Sequence, residues 1–192
     1  LIKQLAAETD VPISVDTQKP AVAKAAVDAG ALVINDITAN LEDDTMWRVV
    51  SDTGAGYILM HMQGTPQTMQ SKPNYNNVTA EVTAFFKGRL ERLNALGVDP
   101  AQVVLDPGIG FGKTAAHNLE LLANLERFIS LGRPLLLGAS RKSFLGGVAS
   151  KRLPGSLTCA VHAVAVGASI VRVHDVCETN QAVKTMEAIL SS

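Results

Sequence analysis

Six short apolar segments recur along the chain, and each runs into a cluster of polar or charged residues. The segments are Pro12–Val15, Leu32–Ile34, Tyr57–Met60, Val103–Leu105, Leu135–Leu137 and Ile170–Val173. Short apolar runs of this kind predict strands buried in a parallel sheet. Polar residues at the carboxyl ends of successive parallel strands are typical of α/β active sites, so the pattern predicts an enzyme.

Helical spacing of apolar residues fills the segments between these strands. The predicted helices are Leu1–Ala7, Lys19–Ala29, Asp43–Asp52, Val78–Leu96, Asn118–Leu131, Ser156–Val166 and Thr179–Leu190. Gly30 and Gly97 follow two of them, as C-terminal caps do, while Asn118 and Thr179 are predicted N-caps. Helices between successive strands imply right-handed parallel crossovers. Because polar clusters follow every strand, the pattern favours a (β/α)8 TIM barrel over a doubly wound sheet.

The number of strands predicts a partial barrel. A closed (β/α)8 barrel has eight strands and usually about 250 residues, whereas this chain has 192 residues and six predicted strands. Its first helix has no strand before it. We therefore expect residues 1–192 to form one barrel domain that lacks its first two strands, with open sheet edges and low stability when isolated.

Composition narrows the possible partners and compartment. A net charge of −1 argues against nucleic-acid and anionic membrane surfaces. The apolar stretches are far shorter than the ~20 residues of a membrane helix, and no signal peptide is apparent. Cys159 and Cys177 lack metal-binding spacing and are interpreted as buried or half-buried thiols in a reducing cytosol. These features predict a cytoplasmic protein.

The strongest chemical motif is Asp-Pro-Gly-Ile-Gly-Phe-Gly-Lys, residues 106–113. Its three glycines allow the backbone to approach a ligand closely. Asp106 stands at a strand end, where a carboxylate can accept two hydrogen bonds from the edge of a heterocycle. The alternative is a turn in which the carboxylate accepts from its own loop amides; the attached Gly-Phe-Gly-Lys favours the functional interpretation.

Two further clusters carry cations. Residues 139–143, Ala-Ser-Arg-Lys-Ser, place Lys142 and Ser143 after the fifth strand, where a helix starting at Ser143 would offer amides to a carboxylate. A solvated Arg-Lys pair is the competing interpretation. Arg172 and His174 alternate on a last strand expected to be buried on both sides, which predicts an anion site. An internal salt bridge with Asp175 is the alternative there.

Three polar residues earlier in the chain also lie at predicted strand ends, but they indicate function less specifically. Asp16 and Asn35 follow the first and second strands, and each alone is equally a helix cap or an Asx turn. His61 follows the third strand, but no second histidine lies at metal-ligand spacing, so zinc binding is not predicted.

Taken together, these motifs resemble those of the dihydropteroate synthase family, the folate-pathway target of sulfonamides. The matching sequences, in order, are SVDT, IND, MHMQGTP, DPGIGFGK, GASRKS and RVHDV. The resemblance runs from Pro12 to the C-terminus. MHMQGTP and DPGIGFGK also separate this family from the methyltetrahydrofolate-binding domains of methyltransferases, which share the barrel and the pterin pocket.

The resemblance implies a reaction in which 6-hydroxymethyl-7,8-dihydropterin pyrophosphate condenses with p-aminobenzoate to give 7,8-dihydropteroate and pyrophosphate. It also implies roles for particular residues. It implies that Lys142, Arg172 and His174 are catalytic, and that Arg172 and His174 also bind phosphate. Pterin-binding roles fall to Asp16, Asn35, Asp106, Lys142 and Arg172. The p-aminobenzoate site would consist of Phe111, Lys142 and Ser143.

The resemblance further implies a homodimer and an Mg²⁺ cofactor. In the family an Asn on the first strand helps to hold the ion, and we expect that residue to lie in the segment before Leu1, so no metal ligand is predicted within this chain. The rival hypothesis is a non-catalytic pterin-binding fragment or paralogue, which would keep the same pocket residues without turnover.

Overall fold

The computed structural model describes residues 1–38 and 43–192, and within them it has a strand in each of the six predicted segments. The strands are β1 Ser14–Asp16, β2 Val33–Asp36, β3 Gly56–Met60, β4 Val103–Asp106, β5 Leu136–Leu137 and β6 Ile170–Val171. Each begins or ends within two residues of its predicted boundary. The polar residues Asp16, Asp36 and Asp106 close their strands, as the sequence pattern predicts.

Helices connect the strands within the same ranges. They are α1 Ile2–Glu8, α2 Pro20–Asp28, α3 Thr45–Thr53, α4 Val78–Ala95, α5 Ala115–Ala123, α6 Leu125–Ile129, α7 Leu153–Ala165 and α8 Val176–Leu190. Short 3₁₀ turns lie at Pro100–Gln102, Ser143–Leu145 and Ala149–Lys151. The predicted helix caps at Gly30 and Gly97 are confirmed, with φ angles of 109° and 79°.

The strands form two sheets. One has the order β1-β2-β3-β4, and its β1–β2 and β2–β3 pairs are parallel. The other is the parallel pair β5–β6. In the first sheet Asp16 lies opposite Asn35, so the register brings two predicted site residues to adjacent strand ends.

Two compact units divide the chain. The first comprises residues 1–61 and 84–105, and the second residues 62–83 and 106–192. The core of the first unit includes Trp47, Tyr57 and Phe86, all fully buried. The second unit buries Phe128 and Leu121 completely.

The helix predicted at Asn118–Leu131 is wrong both in its start and in its continuity. The helix expected at Asn118–Leu131 begins at Ala115, because Thr114 caps it by accepting a hydrogen bond from the His117 amide at 3.2 Å. It divides into α5 and α6 at Asn124, whose φ of −125° is not helical. The capping residue is therefore Thr114 rather than Asn118.

Helices α7 and α8 each begin three residues earlier than predicted, at Leu153 and Val176. Thr179 lies inside the first turn of α8, where its hydroxyl donates to the Asp175 carbonyl oxygen at 2.7 Å. It therefore does not cap the helix. Asp175 occupies the cap position, but no side-chain capping bond forms there.

The two cysteines differ in their exposure to solvent. Cys159 is buried, as predicted, but Cys177 is exposed because it lies in the first turn of α8 on the solvent side. In the described ranges, no helix has both the length and the apolar character required to cross a membrane.

Candidate active site

A buried ion pair joins Asp106 to Arg172 within the second unit. Arg172 Nη2 donates to Asp106 Oδ2 at 2.8 Å, and the Gly108 amide donates to Asp106 Oδ1 at 2.8 Å. The Asp106 side chain is 1% exposed and that of Arg172 is 40% exposed. Burial raises the pKa of the Asp106 carboxyl, while Arg172 and Gly108 oppose that rise by favouring the charged form. Arg172 thus pairs with a strand-end carboxylate and not with Asp175.

Gly138, which follows β5, leaves the room that the Arg172 guanidinium needs. A Cβ atom at this position would lie 2.9 Å from Arg172 Nη2, closer than real Cβ contacts allow. Any larger residue at Gly138 would therefore require the guanidinium to shift from this position.

The glycines of residues 108–112 have a role that the sequence analysis did not identify. Gly108, Gly110 and Gly112 all adopt left-handed φ angles, of 66°, 80° and 62°. Such angles strain other residue types. A Cβ at Gly110 would also lie 3.1 Å from Cδ of Lys142. The glycines therefore shape the turn itself and leave space for the Lys142 stem.

Lys142 and Phe111 lie in contact, as their predicted shared site requires. Lys142 Nζ is 4.2 Å from the centroid of the Phe111 ring, which is a favourable cation–π geometry. Burial lowers the pKa of the Lys142 amine, and the nearby Asp106 carboxylate opposes this effect. A half-buried cation beside an aromatic face and a carboxylate suits recognition of a flat, polar ring.

Lys113 is a site residue that the sequence analysis missed, because a lysine after a glycine-rich turn is normally solvated. Only 3% of this residue is exposed. Its Nζ donates to the carbonyl oxygens of Gly108 and Phe111 at 3.0 and 2.9 Å. Burial lowers its pKa to about 7, against the opposing effect of Asp106. The usable signal in the sequence was its place as the last residue of the glycine-rich motif.

Arg141 does not form a solvated pair with Lys142. Its Nε donates to Asp175 Oδ2 at 3.0 Å, and its Nη2 pairs with the other oxygen of the same carboxylate. The bond from Arg141 holds the pKa of Asp175 below its usual value and raises that of Arg141. Arg141 has a φ of 55°, unusual for a residue with a side chain. Ser156 Oγ accepts from the Arg141 amide at 2.9 Å and stabilises this turn.

Ser143 does not begin a helix long enough to carry a dipole. It opens the three-residue 3₁₀ turn Ser143–Leu145, and the next α-helix starts at Leu153. Gly146 and Gly147 have φ angles of 76° and 59° and end the turn. The predicted helix start at Ser143 is therefore wrong, although the exposed hydroxyl of Ser143 still lies directly after Lys142.

Arg172 and His174 lie beyond the end of β6, which covers only residues 170–171. The prediction of a strand buried on both sides is wrong, since Ile170 is 40% exposed. His174 is exposed, and its Nδ1 lies 3.0 Å from Ser140 Oγ. The same hydroxyl oxygen accepts from the His174 backbone amide at 3.2 Å, so Ser140 fixes both the backbone and the ring.

In the first unit, Asp16 and Asn35 form a direct pair. Asn35 Nδ2 donates to Asp16 Oδ2 at 2.6 Å. Asn35 is 5% exposed, whereas Asp16 is exposed. The neighbouring Asp36 is fully buried and accepts a hydrogen bond from the Tyr57 hydroxyl at 2.9 Å. Asp36 thereby anchors the end of β2, a role that its sequence position alone did not reveal.

Across residues 1–38 and 43–192, no group of three or more His, Cys, Asp or Glu side chains is arranged to hold a metal ion.

Comparison with known proteins agrees with this geometry. A family model described as "Pterin binding enzyme" matches residues 1–174. The chain is 44% identical over 196 residues to the dihydropteroate synthase of Escherichia coli (strain K12), covering 100% of this chain and 69% of the relative. The chain thus spans about two thirds of that relative's length.

Solved structures extend the similarity to three dimensions. A Yersinia pestis dihydropteroate synthase in complex with a sulfonamide drug aligns with a TM-score of 0.94 at 43% identity, covering 99% of this chain and 70% of its own. A Xanthomonas albilineans dihydropteroate synthase with bound 7,8-dihydropteroate aligns with a TM-score of 0.92 at 38% identity, covering 100% and 73%. The predicted fold class, a partial TIM barrel, is confirmed.

Proposed function

The chain belongs to the dihydropteroate synthase family of pterin binding enzymes, and from this premise we propose how its residues divide the work of the reaction. It is a transferase of folate biosynthesis. In the reaction, the amine nitrogen of p-aminobenzoate forms a bond to the exocyclic methylene carbon of the pterin. The bond from that carbon to the pyrophosphate oxygen breaks, and the nitrogen loses a proton. The products are 7,8-dihydropteroate and pyrophosphate.

One observation carries the proposal: Asp106, Arg172, Lys142 and Phe111 converge around a single glycine-rich turn. A buried carboxylate beside two cations suits a ring with hydrogen-bond donors on one edge and a carbonyl oxygen nearby. We assign Asp106 to the donor edge of the pterin and Lys142 to its carbonyl oxygen. The Arg172 guanidinium, planar and 40% exposed, would stack on the ring.

Asp16 and Asn35 are assigned to the pterin as well. Their mutual hydrogen bond of 2.6 Å supports this role, because it pre-orders a carboxylate and an amide at adjacent strand ends. The Asp16 carboxylate can accept further hydrogen bonds, and the Asn35 amide group can both accept and donate them. A pre-ordered pair loses little conformational entropy when the ligand binds.

Arg172 and His174 are assigned to the pyrophosphate. Neutralising the departing anion makes it a better leaving group, and preorganised charge is the largest contribution to many enzymatic rates. The contact between His174 and Ser140 supports the assignment, because it fixes the imidazole before the anion arrives. The pterin can delocalise positive charge from its methylene carbon, so a neutral aniline nitrogen needs no strong general base.

Phe111, Lys142 and Ser143 are assigned to p-aminobenzoate. The Phe111 face would pack on the benzene ring, and the exposed hydroxyl of Ser143 would donate to the carboxylate. Lys142 lies 4.2 Å from the Phe111 ring centroid, so it can serve both substrates. Orienting the two reactants in this way contributes to the rate through positioning.

We further propose that the reaction requires Mg²⁺. The ion commonly binds through one or two protein oxygens together with substrate phosphates, so the pyrophosphate group would supply part of its coordination. The ion would neutralise part of the pyrophosphate charge. Loss of product formation on chelation, restored by added Mg²⁺, would test this requirement.

A homodimer in the cytoplasm completes the proposal. Its support is the family membership. Sedimentation of the protein expressed from its complete reading frame would test the dimer.

Isothermal titration distinguishes a catalytic synthase from a protein that binds the pterin without turnover. With Mg²⁺ present, pterin pyrophosphate should bind first, and p-aminobenzoate should then bind and react. Binding of the pterin without any subsequent heat or product would favour the non-catalytic alternative.

A further inference from the structure

Lys113 is buried at the centre of the glycine-rich turn, and the roles assigned so far do not use it. A lysine that is 3% exposed carries a large desolvation cost. Its two bonds to the carbonyl oxygens of Gly108 and Phe111 offset part of that cost. An arrangement that is costly to build suggests a function beyond filling space.

Lys113 donates to the carbonyl oxygens of Gly108 and Phe111, and both residues contribute to the proposed substrate sites. The Gly108 amide donates to Asp106 Oδ1 at 2.8 Å, so the position of Gly108 sets one hydrogen bond to the carboxylate that we assign to the pterin. The Phe111 amide also donates to the Gly108 oxygen at 3.0 Å. The turn from 108 to 111 is therefore closed around one ammonium group.

Other side chains hold the outer part of the same loop. Gln70 Nε2 donates to the Gly110 oxygen at 2.6 Å, and the Tyr75 hydroxyl donates to the Gly112 oxygen at 2.9 Å. Asn118 Oδ1 accepts from the Gly110 amide at 2.8 Å. Among these contacts, only Lys113 touches the part of the turn that is directly bonded to Asp106.

We propose that Lys113 is a positioning residue that holds Asp106 and Phe111, and therefore the pterin and p-aminobenzoate sites, in one fixed geometry. The proposal rests on the substrate assignments of the proposed function. Lys113 acts through the loop carbonyls and through its charge beside Asp106, without touching either substrate. The competing interpretation is that Lys113 contributes to stability alone.

Lys113→Met removes the donor and the charge while keeping a similar length. In the protein expressed from its complete reading frame, we expect the Michaelis constant for p-aminobenzoate to rise about tenfold, the effect of losing one or two charge-assisted bonds. Pterin affinity in calorimetry should fall by a similar factor, with a smaller change in kcat. A purely structural role would instead lower the active fraction and the binding stoichiometry, leaving both constants at wild-type values.

Two matched variants separate these outcomes. Tyr75→Phe removes the hydrogen bond to the Gly112 oxygen but keeps the Lys113 bonds. It should therefore raise the Michaelis constant for p-aminobenzoate less than Lys113→Met does, and it should leave pterin affinity near that of wild type. Leu125→Ala destabilises the core of the same unit without removing any loop donor. It should lower the active fraction only.

Lys113→Gln provides a second test if the Met variant does not fold. Its amide retains a donor without charge, so both constants should lie between those of wild type and the Met variant. Wild-type constants in either folded Lys113 variant would overturn the proposal. Wild-type protein in the same assay reports separately on the proposed function, because failure to form dihydropteroate there would concern the reaction and not Lys113.

Discussion

The guanidinium of Arg172 donates a hydrogen bond to the buried carboxylate of Asp106, across 66 positions of sequence. The ion pair joins Arg172, which we assign to pyrophosphate binding, to Asp106, which we assign to pterin binding. Because Asp106 is 1% exposed, its charge depends on this partner and on the Gly108 amide. The ends of β4 and β6 are thus coupled electrostatically before any substrate binds.

Replacing Asp106 with Asn should weaken pterin binding. The variant loses a charged acceptor while keeping its shape, so we expect a loss of about 1.5–3 kcal/mol in binding free energy, or roughly 10–150-fold in Kd. Calorimetry of pterin pyrophosphate measures the change. Asp28→Asn, on the exposed surface of α2, is the matched control and should bind as wild type. Wild-type affinity in a folded Asp106→Asn protein would refute the assignment of Asp106 to the pterin.

Replacing Arg172 should weaken the binding of anions as well as that of the pterin. Arg172→Ala removes both the planar group and its charge, so affinity for pterin pyrophosphate and for free pyrophosphate should fall together. Arg172→Lys keeps the charge but loses the planar guanidinium with its paired N–H donors. It should retain more pyrophosphate affinity than the Ala variant. Equal pyrophosphate affinity in wild type and Arg172→Ala would contradict the anion-site assignment.

Ser143 should matter for the second substrate alone. Ser143→Ala removes one hydroxyl donor, so the Michaelis constant for p-aminobenzoate should rise by about two- to tenfold, the effect of one hydrogen bond. Pterin affinity should stay near wild type. Ser150→Ala, in the neighbouring 3₁₀ turn, is the control. An equal loss for both substrates would contradict this division between Ser143 and the pterin residues.

Much of this organisation follows from local sequence. Short apolar runs predict the six strands because burial on parallel sheets selects them, and the following polar residues mark the strand ends. The cap at Gly97 is equally local, since a left-handed φ favours glycine.

The remaining features depend on tertiary structure. The partner of Arg172 lies far away in sequence, and local pattern offered Asp175 as a reasonable alternative. Asp175 instead pairs with Arg141. Ser143 failed to start a helix because Gly146 and Gly147 end the turn with left-handed angles. The glycine-rich motif marks the position of Lys113, but its burial depends on the folded loop.

The stability of the protein should depend on pH through Lys113. Burial lowers its pKa to about 7 in the folded state, compared with about 10.4 in the unfolded chain. Between these two values the unfolded state binds more protons, so the free energy of unfolding should rise with pH relative to that of Lys113→Met. Urea unfolding of both proteins from pH 7 to 10 measures the difference. Parallel pH curves for the two proteins would show that Lys113 does not release its proton in that window.

Product formation is the most direct measurement of the central claim. The protein expressed from its complete reading frame is supplied with pterin pyrophosphate, p-aminobenzoate and Mg²⁺, and 7,8-dihydropteroate and pyrophosphate are quantified alongside Arg172→Ala. We predict equal amounts of the two products from wild type, and a rate for Arg172→Ala that is lower by about tenfold or more, as expected for loss of a charged group at a developing anion. Pterin binding by wild type without either product would contradict the account.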